Sequence, residues 1–173
     1  MHTSTTSTVP LEPWTAQQLE EATQGHWHNG KVPQGDIKRV LTDSRDAEKG
    51  DAFLALKGER FDAHDFVIKV AEQGCEIAIV SHPVDADICQ LVVADTRLAL
   101  GHLGAFRRAK NSQLKVIALT GSSGKTTTKE MVACVLSQKG ETLKTEGNLN
   151  NEIGVPKTLF RLQSSTKNAV IEM

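Results

Sequence analysis

The sequence predicts an α/β protein, with a small α/β N-terminal domain followed by the start of a second domain on a mainly parallel sheet. Two observations carry this. Short apolar strands alternate with amphipathic helices over brief connections, as in strand–helix–strand units. Val116 to Thr127 then reads as a buried strand, a glycine-rich turn and a helix start, unlike anything upstream.

Taken in order, Thr15 and Gln18 form a capping-box pattern and Gly25 closes the segment, which predicts a helix over 15–24 carrying Leu19 and Ala22 inward. Short strands follow at Ile37–Leu41 and Ala52–Leu56, separated by polar turns and readable as a hairpin. Phe66, Val67, Val70 and Ala71 recur at helical spacing within His64–Gln73, with Gly74 placed to stop the helix. Strands at Glu76–Val80 and Gln90–Ala94 lead to Asp95, a predicted N-cap. The helix after it should bury Leu98, Ala99, Leu103 and Phe106 on one face and end in the solvated basic cluster Arg107-Arg108-Ala109-Lys110.

A polar stretch, Ala109 to Gln113, sets the domain boundary: a tail at 1–11 expected to be disordered, a first domain at 12–111 and a second at 112–173. The second contains a strand at Lys115–Leu119, a helix at Lys125–Lys139 stopped by Gly140, a strand at Thr142–Thr145, a helix near Val155–Leu162 and a strand at Ala169–Met173. That last strand is expected to lack a partner and to expose an apolar edge, as in a piece of a longer chain.

Composition narrows the function classes. Formal net charge is -1 with no basic stripe, which argues against a nucleic-acid surface. The longest apolar run, Met131 to Leu136, is far short of a membrane span, and the Thr- and Ser-rich start has no secretory pattern. Cys75, Cys89 and Cys134 are widely spaced in apolar segments and read as reduced core residues, which suits the cytoplasm; the six histidines show no zinc spacing.

The chemical signal is the run Thr120-Gly121-Ser122-Ser123-Gly124-Lys125-Thr126-Thr127. Glycines at 121 and 124 let the chain turn tightly, so that successive N–H groups and the helix N-terminus face a phosphate. Lys125 can reach phosphate oxygens and the Thr126 hydroxyl can coordinate Mg2+. Leu119 stands where the usual phosphate loop has its first glycine, so the loop is a variant.

That variant resembles the ATP loop of the Mur ligases and of their relative folylpolyglutamate synthase. Glu146-Gly-Asn-Leu-Asn-Asn-Glu-Ile-Gly-Val-Pro156 is similar to the segment following the loop in the D-alanyl-D-alanine-adding branch. Thr42-Asp43-Ser44-Arg45, the stretch Gly50 to Gly58, Phe61-Asp62-Ala63-His64-Asp65-Phe66 and Asp95-Thr96-Arg97-Leu98-Ala99 look like the family's UDP-sugar domain. The resemblance covers roughly residues 12 to 173.

It implies an ATP-dependent ligase of peptidoglycan synthesis. Its cofactors would be ATP and Mg2+, and its substrates UDP-N-acetylmuramoyl-tripeptide and D-alanyl-D-alanine, joined through an acyl-phosphate. A complete ligase has three domains. This sequence would carry the first and part of the second, and the 173 residues alone are not expected to turn over. Residue by residue, Lys125 would hold the γ-phosphate, Thr126 would ligate Mg2+, and Glu172 matches the family's acidic ligand for a second Mg2+. Asn148 and Asn151 would sit near the phosphate path; Asp43, Ser44, Arg45, Lys57, Asp62 and His64 would hold the UDP substrate. Read without the resemblance, Glu172 is one acid without a partner, the asparagines are turn formers and Asp-Ser-Arg is a solvated loop. A sister ligase, a folylpolyglutamate synthase-like enzyme and a non-catalytic UDP-sugar-binding module are the alternatives.

Overall fold

The computed structural model describes residues 12–58 and 61–173; the expectation for the 1–11 tail lies outside them. Helix α1 (Ala16–Thr23) starts where the capping box predicts: Gln18 N donates to the Thr15 hydroxyl and Thr15 N to the Gln18 side chain. Strands β1 (His26–Trp27), β2 (Val40–Leu41) and β3 (Ala52–Leu54) follow. A 3-10 turn at Ala63–Phe66 leads into α2 (Val67–Glu72), and β4 (Ile77–Val80) and β5 (Cys89–Val92) complete the first sheet. Its order is β1-β5-β4-β3-β2, with only β1 antiparallel.

The expected hairpin is therefore absent: β2 and β3 run parallel, pairing Val40 with Ala52 and Leu41 with Phe53. The reason lies in the connection. Buried Asp51 accepts bonds from the Arg39 guanidinium at 3.0–3.1 Å and from Glu48 N at 3.0 Å, while Arg39 also donates to Asp46 O. These bonds fold the loop back so that β3 enters in the same direction as β2.

Alternation along β3, β4 and β5 fills both faces of this sheet. Ala52, Leu54, Ile77, Ile79 and Leu91 join Leu19, Leu100 and Leu103 on one side. Phe53, Ala55, Ala78, Val80 and Val92 join Ala63, Val67 and Val70 on the other.

Helix α3 (Thr96–Lys110) is capped by Asp95, whose carboxylate accepts from Arg97 N and Leu98 N. Its buried face is Thr96, Ala99, Leu100, Leu103, Gly104 and Arg107; Leu98, expected inside, is 62% exposed because it lies round the helix from that stripe. The basic terminus is also not wholly solvated. Arg107 is buried with its guanidinium 3.9 Å from the Trp14 ring centroid, and it donates to Glu12 O at 2.9 Å.

The second sheet comprises β6 (Lys115–Leu119), β7 (Thr142–Lys144) and β8 (Asn168–Glu172), flanked by α4 (Lys125–Ser137) and α5 (Gly154–Leu159). Here too the structure corrects an expectation. β8 is the central strand, parallel to both β6 and β7, and all five of its residues are buried. The exposed strand is β6, where Ile117 is 36% exposed, and α4 leaves Met131 and Val135 uncovered. Cys134 is likewise exposed, whereas Cys75 is buried and Cys89 half-buried.

Helices α3 and α5 join the two sheets. Gly104 lies so close to Pro156 that an added Cβ would come within 2.9 Å of its Cα, and Trp14 meets Phe160 edge-on at 5.9 Å. Among the described residues no helix is long and apolar enough to cross a membrane.

Candidate functional site

At the C-terminal end of β6 the chain turns through Thr120–Gly124 into α4. Gly121 and Gly124 have φ of 146° and 75°, conformations that a side chain would strain, so both glycines are required by the turn. Gly124 is the N-cap of α4 and offers no capping side chain, which leaves the helix's first N–H groups facing the loop. Thr120, Ser122, Ser123 and Thr127 are exposed. Lys125 Nζ donates to Gly121 O at 2.6 Å, which holds the ammonium against the loop it follows.

β8 ends beside this turn because it pairs residue for residue with β6, Leu119 opposite Glu172. Glu172 is 4% exposed. Its Oε2 accepts from the Thr126 hydroxyl at 3.4 Å and lies 3.2 Å from Lys129 Nζ; its Oε1 accepts from Asn150 Nδ2 at 3.4 Å. Its backbone N–H donates to the buried Thr145 hydroxyl at 2.9 Å. Burial opposes ionisation of the carboxyl, but the Lys129 hydrogen bond and charge, then Asn150 and the Lys125 charge, outweigh it and hold the pKa below the usual range.

A second cavity, of about 520 Å³, opens against the first sheet and is lined by Thr42, Asp43, Ser44, Arg45, Phe53, Phe61, Ala63, Phe66 and Lys69. Arg45 grips Asp43 through Nε at 2.9 Å and through Nη2, and its backbone N–H bonds the same carboxylate at 3.0 Å. That side-chain pairing, then the backbone bond, hold the Asp43 carboxyl far below the usual carboxylate range. Phe61 and Phe66 stack at 5.7 Å along the opposite wall.

Lys57, Asp62 and His64 do not line this cavity. Lys57 Nζ pairs with Asp62 at 3.5 Å. Asp62 bonds the His64 N–H at 3.0 Å and then its Nδ1, which lowers the Asp62 pKa despite partial burial. His64 is buried, stacked on His82 at 4.3 Å, with Nε2 accepting from Ser81 N at 2.9 Å. Both ring nitrogens are engaged within the chain, Nδ1 by Asp62 and Nε2 by Ser81. The Asp62–His64–Ser81 array superficially follows the order of a hydrolytic triad, the Ser81 hydroxyl lying 3.2 Å from Nε2. The Ser81 backbone N–H lies closer, at 2.9 Å, so the hydroxyl shares Nε2 with a better-placed donor.

The asparagines before α5 divide between the turn and the buried carboxylate. Asn151 Oδ1 accepts from Ile153 N at 3.2 Å and Gly154 N at 2.8 Å, capping the turn into α5, and Asn148 is exposed. The asparagine that reaches Glu172 is Asn150. Sequence reasoning missed it together with Lys129 and Thr145. For Lys129 a signal existed: it lies one helical turn after Lys125 and so shares its face of α4.

Comparison with known proteins gives two adjoining family matches. Residues 119–173 match the family model "Mur ligase middle domain" and residues 36–119 match "Mur ligase family, catalytic domain". The chain is 53% identical over 147 residues to the UDP-N-acetylmuramoyl-tripeptide–D-alanyl-D-alanine ligase of Escherichia coli, across 84% of this chain and 32% of that protein. It superposes on a crystal structure of MurF from Acinetobacter baumannii with a TM-score of 0.93 and 67% identity, covering 95% of this chain and 36% of that one. The MurF ligase of Thermotoga maritima, solved in complex with ADP, matches with a TM-score of 0.67 at 35% identity over 78% of this chain and 31% of its own. The chain thus spans about a third of the length of these relatives.

Proposed function

Because the chain belongs to the Mur ligase family, we propose that it is the nucleotide- and UDP-substrate-binding part of an ATP-dependent ligase that joins D-alanyl-D-alanine to UDP-N-acetylmuramoyl-tripeptide in the cytoplasm. The observation that carries this reading is the meeting of the glycine loop with Glu172: a helix start with no capping side chain, a lysine, and a hydroxyl and carboxylate 3.4 Å apart.

The residues present fit a divalent cation. Thr126 and Glu172 offer hard oxygen donors 3.4 Å apart, the ligand chemistry that Mg2+ selects, and would hold it. Among the described residues no three His, Cys, Asp or Glu side chains gather as a metal cluster. Bound Mg2+ would supply the charge neutralisation that phosphoryl transfer requires.

In the proposed reaction the γ-phosphoryl of ATP passes to the tripeptide carboxylate and ADP leaves. The amine of D-alanyl-D-alanine then attacks the acyl-phosphate carbon, expelling inorganic phosphate and losing a proton to give the amide. The part of this chain would be to bind and orient: the 120–127 backbone cradles phosphates, Lys125 holds the terminal one, and Thr126 and Glu172 fix the cation. The cavity beside Asp43, Ser44 and Arg45 would take the UDP moiety, with Phe61 and Phe66 offering apolar faces to the base and Lys69 a charge to the diphosphate. We assign the first domain to 12–111 and the beginning of the second to 112–173, a division supported by the two separate sheets.

Calorimetric titration tests this. Mg-ATP should bind the chain and Lys125→Ala should weaken that binding at least about tenfold, a loss of about 1.4 kcal/mol. UDP-N-acetylmuramoyl-tripeptide should bind independently of that substitution and be weakened by Arg45→Ala. A folded chain that shows no heat with either ligand sinks the proposal.

A further inference from the structure

Lys129 is 2% exposed, and nothing in the proposed nucleotide chemistry uses it. It projects from α4 one turn beyond Lys125, and its Nζ lies 3.2 Å from Glu172 Oε2, the same oxygen that accepts the Thr126 hydroxyl. The neighbouring Glu130 is a weaker partner. It lies 3.9 Å away, half-exposed, and is drawn outward by its own pair with Lys144. Lys125 is turned to Gly121 O, so Lys129 is the cation in contact with Glu172. A buried charge is retained only where a counter-charge compensates the loss of water, and here each of Lys129 and Glu172 compensates the other.

The oxygen assigned to the metal is therefore already in contact with a cation that belongs to the chain. Adding a divalent ion to Glu172 beside Lys129 and Lys125 would place four positive charges around one carboxylate. Such an arrangement becomes favourable only when nucleotide phosphates bring negative charge into the loop.

We propose that Lys129 is a positioning residue that acts as an internal cation: it holds Glu172 beside Thr126 in the metal-free chain and competes with the divalent ion for Glu172 Oε2. Metal binding is thereby coupled to nucleotide binding. The coupling is reciprocal, as any linkage between two ligands must be. This inference rests on the reading of Thr126 and Glu172 as metal ligands.

The test is Mn2+ binding to the chain, followed by the electron paramagnetic resonance signal of the free ion, with and without ATP. The parent should bind Mn2+ weakly alone and far more tightly with ATP. Lys129→Met should tighten binding of Mn2+ alone by at least about tenfold and change the ATP-bound affinity less, because nucleotide phosphate already offsets the lysine charge, so the gain from ATP should shrink. Lys129→Arg keeps the charge and should retain the parent's weak binding. Lys129→Gln, which keeps a polar group in the site, serves as the uncharged variant if Lys129→Met does not fold.

Glu172→Gln separates the two readings. If it leaves Mn2+–ATP binding unchanged, the metal assignment itself fails. If it weakens that binding while Lys129→Met and Lys129→Gln bind Mn2+ alone as the parent does, the metal assignment stands and the role given to Lys129 is overturned.

Discussion

The two sheets solve the same packing problem to different degrees. In the first, β3 and β4 are buried on both faces, with one apolar cluster under α1 and α3 and another under α2. In the second, only central β8 is enclosed; β6 alternates between half-buried and exposed, and α4 carries Met131 and Val135 in the open. The difference teaches where each sheet's rigidity comes from. The first holds its shape by side-chain packing on both faces, whereas the second has a single apolar cluster around Leu143, Leu159, Leu162, Ala169 and Ile171 and adds polar ties to its one fully buried strand. Those ties, from Thr126, Lys129, Thr145 and Asn150 to Glu172, are also the candidate nucleotide site.

The largest test of that contrast is a pair of truncations. Phe53→Ala removes a fully buried ring from the first sheet and should cost about 3–5 kcal/mol, whereas Ile117→Ala on exposed β6 should cost no more than about 1 kcal/mol. Chemical denaturation followed by circular dichroism reads both sheets, while tryptophan fluorescence reads the first, since Trp27 lies in β1 and Trp14 packs in its core. Equal losses would break the comparison.

The joint between the sheets gives a smaller effect. Gly104→Val would drive side-chain carbon into the Pro156 backbone, where even a Cβ would sit 2.9 Å away, and should cost about 1–3 kcal/mol by overpacking. If the sheets are coupled there, fluorescence and circular dichroism will shift together. Separate transitions would show that the sheets unfold independently.

A third contrast, seen only at alkaline pH, distinguishes a buried thiol of the first sheet from an exposed one in the second. Burial, followed by the Asp51 charge, pushes the Cys75 thiol up to about 11 from 9.0. The folded chain keeps that proton while the unfolded chain loses it, so stability should fall as pH rises from 9.0 towards about 11, by at most about 1.4 kcal/mol per pH unit. At pH 8 a disulfide reagent should label Cys134 promptly and Cys75 only on unfolding. Prompt labelling of Cys75 would show the first sheet to be looser than its packing implies.

What the sequence determined by itself was local in origin. The capping box at Thr15, the Asp95 cap, the stops at Gly74 and Gly140 and the glycine loop before Lys125 depend on residues within a few positions of one another, and the structure places all of them as expected. The family was legible for the same reason, because its motifs are contiguous runs. The tertiary structure decided what depends on distant pairing. It set the parallel entry of β3, which the buried Arg39–Asp51 pair enforces, and the central position of β8, which no local pattern encodes. It also chose Asn150 over Asn151 at Glu172, and it turned His64 inward to Ser81 and Lys129 towards the carboxylate. A helical period can say which residues share a face, but only strands brought together from far along the chain decide what that face meets.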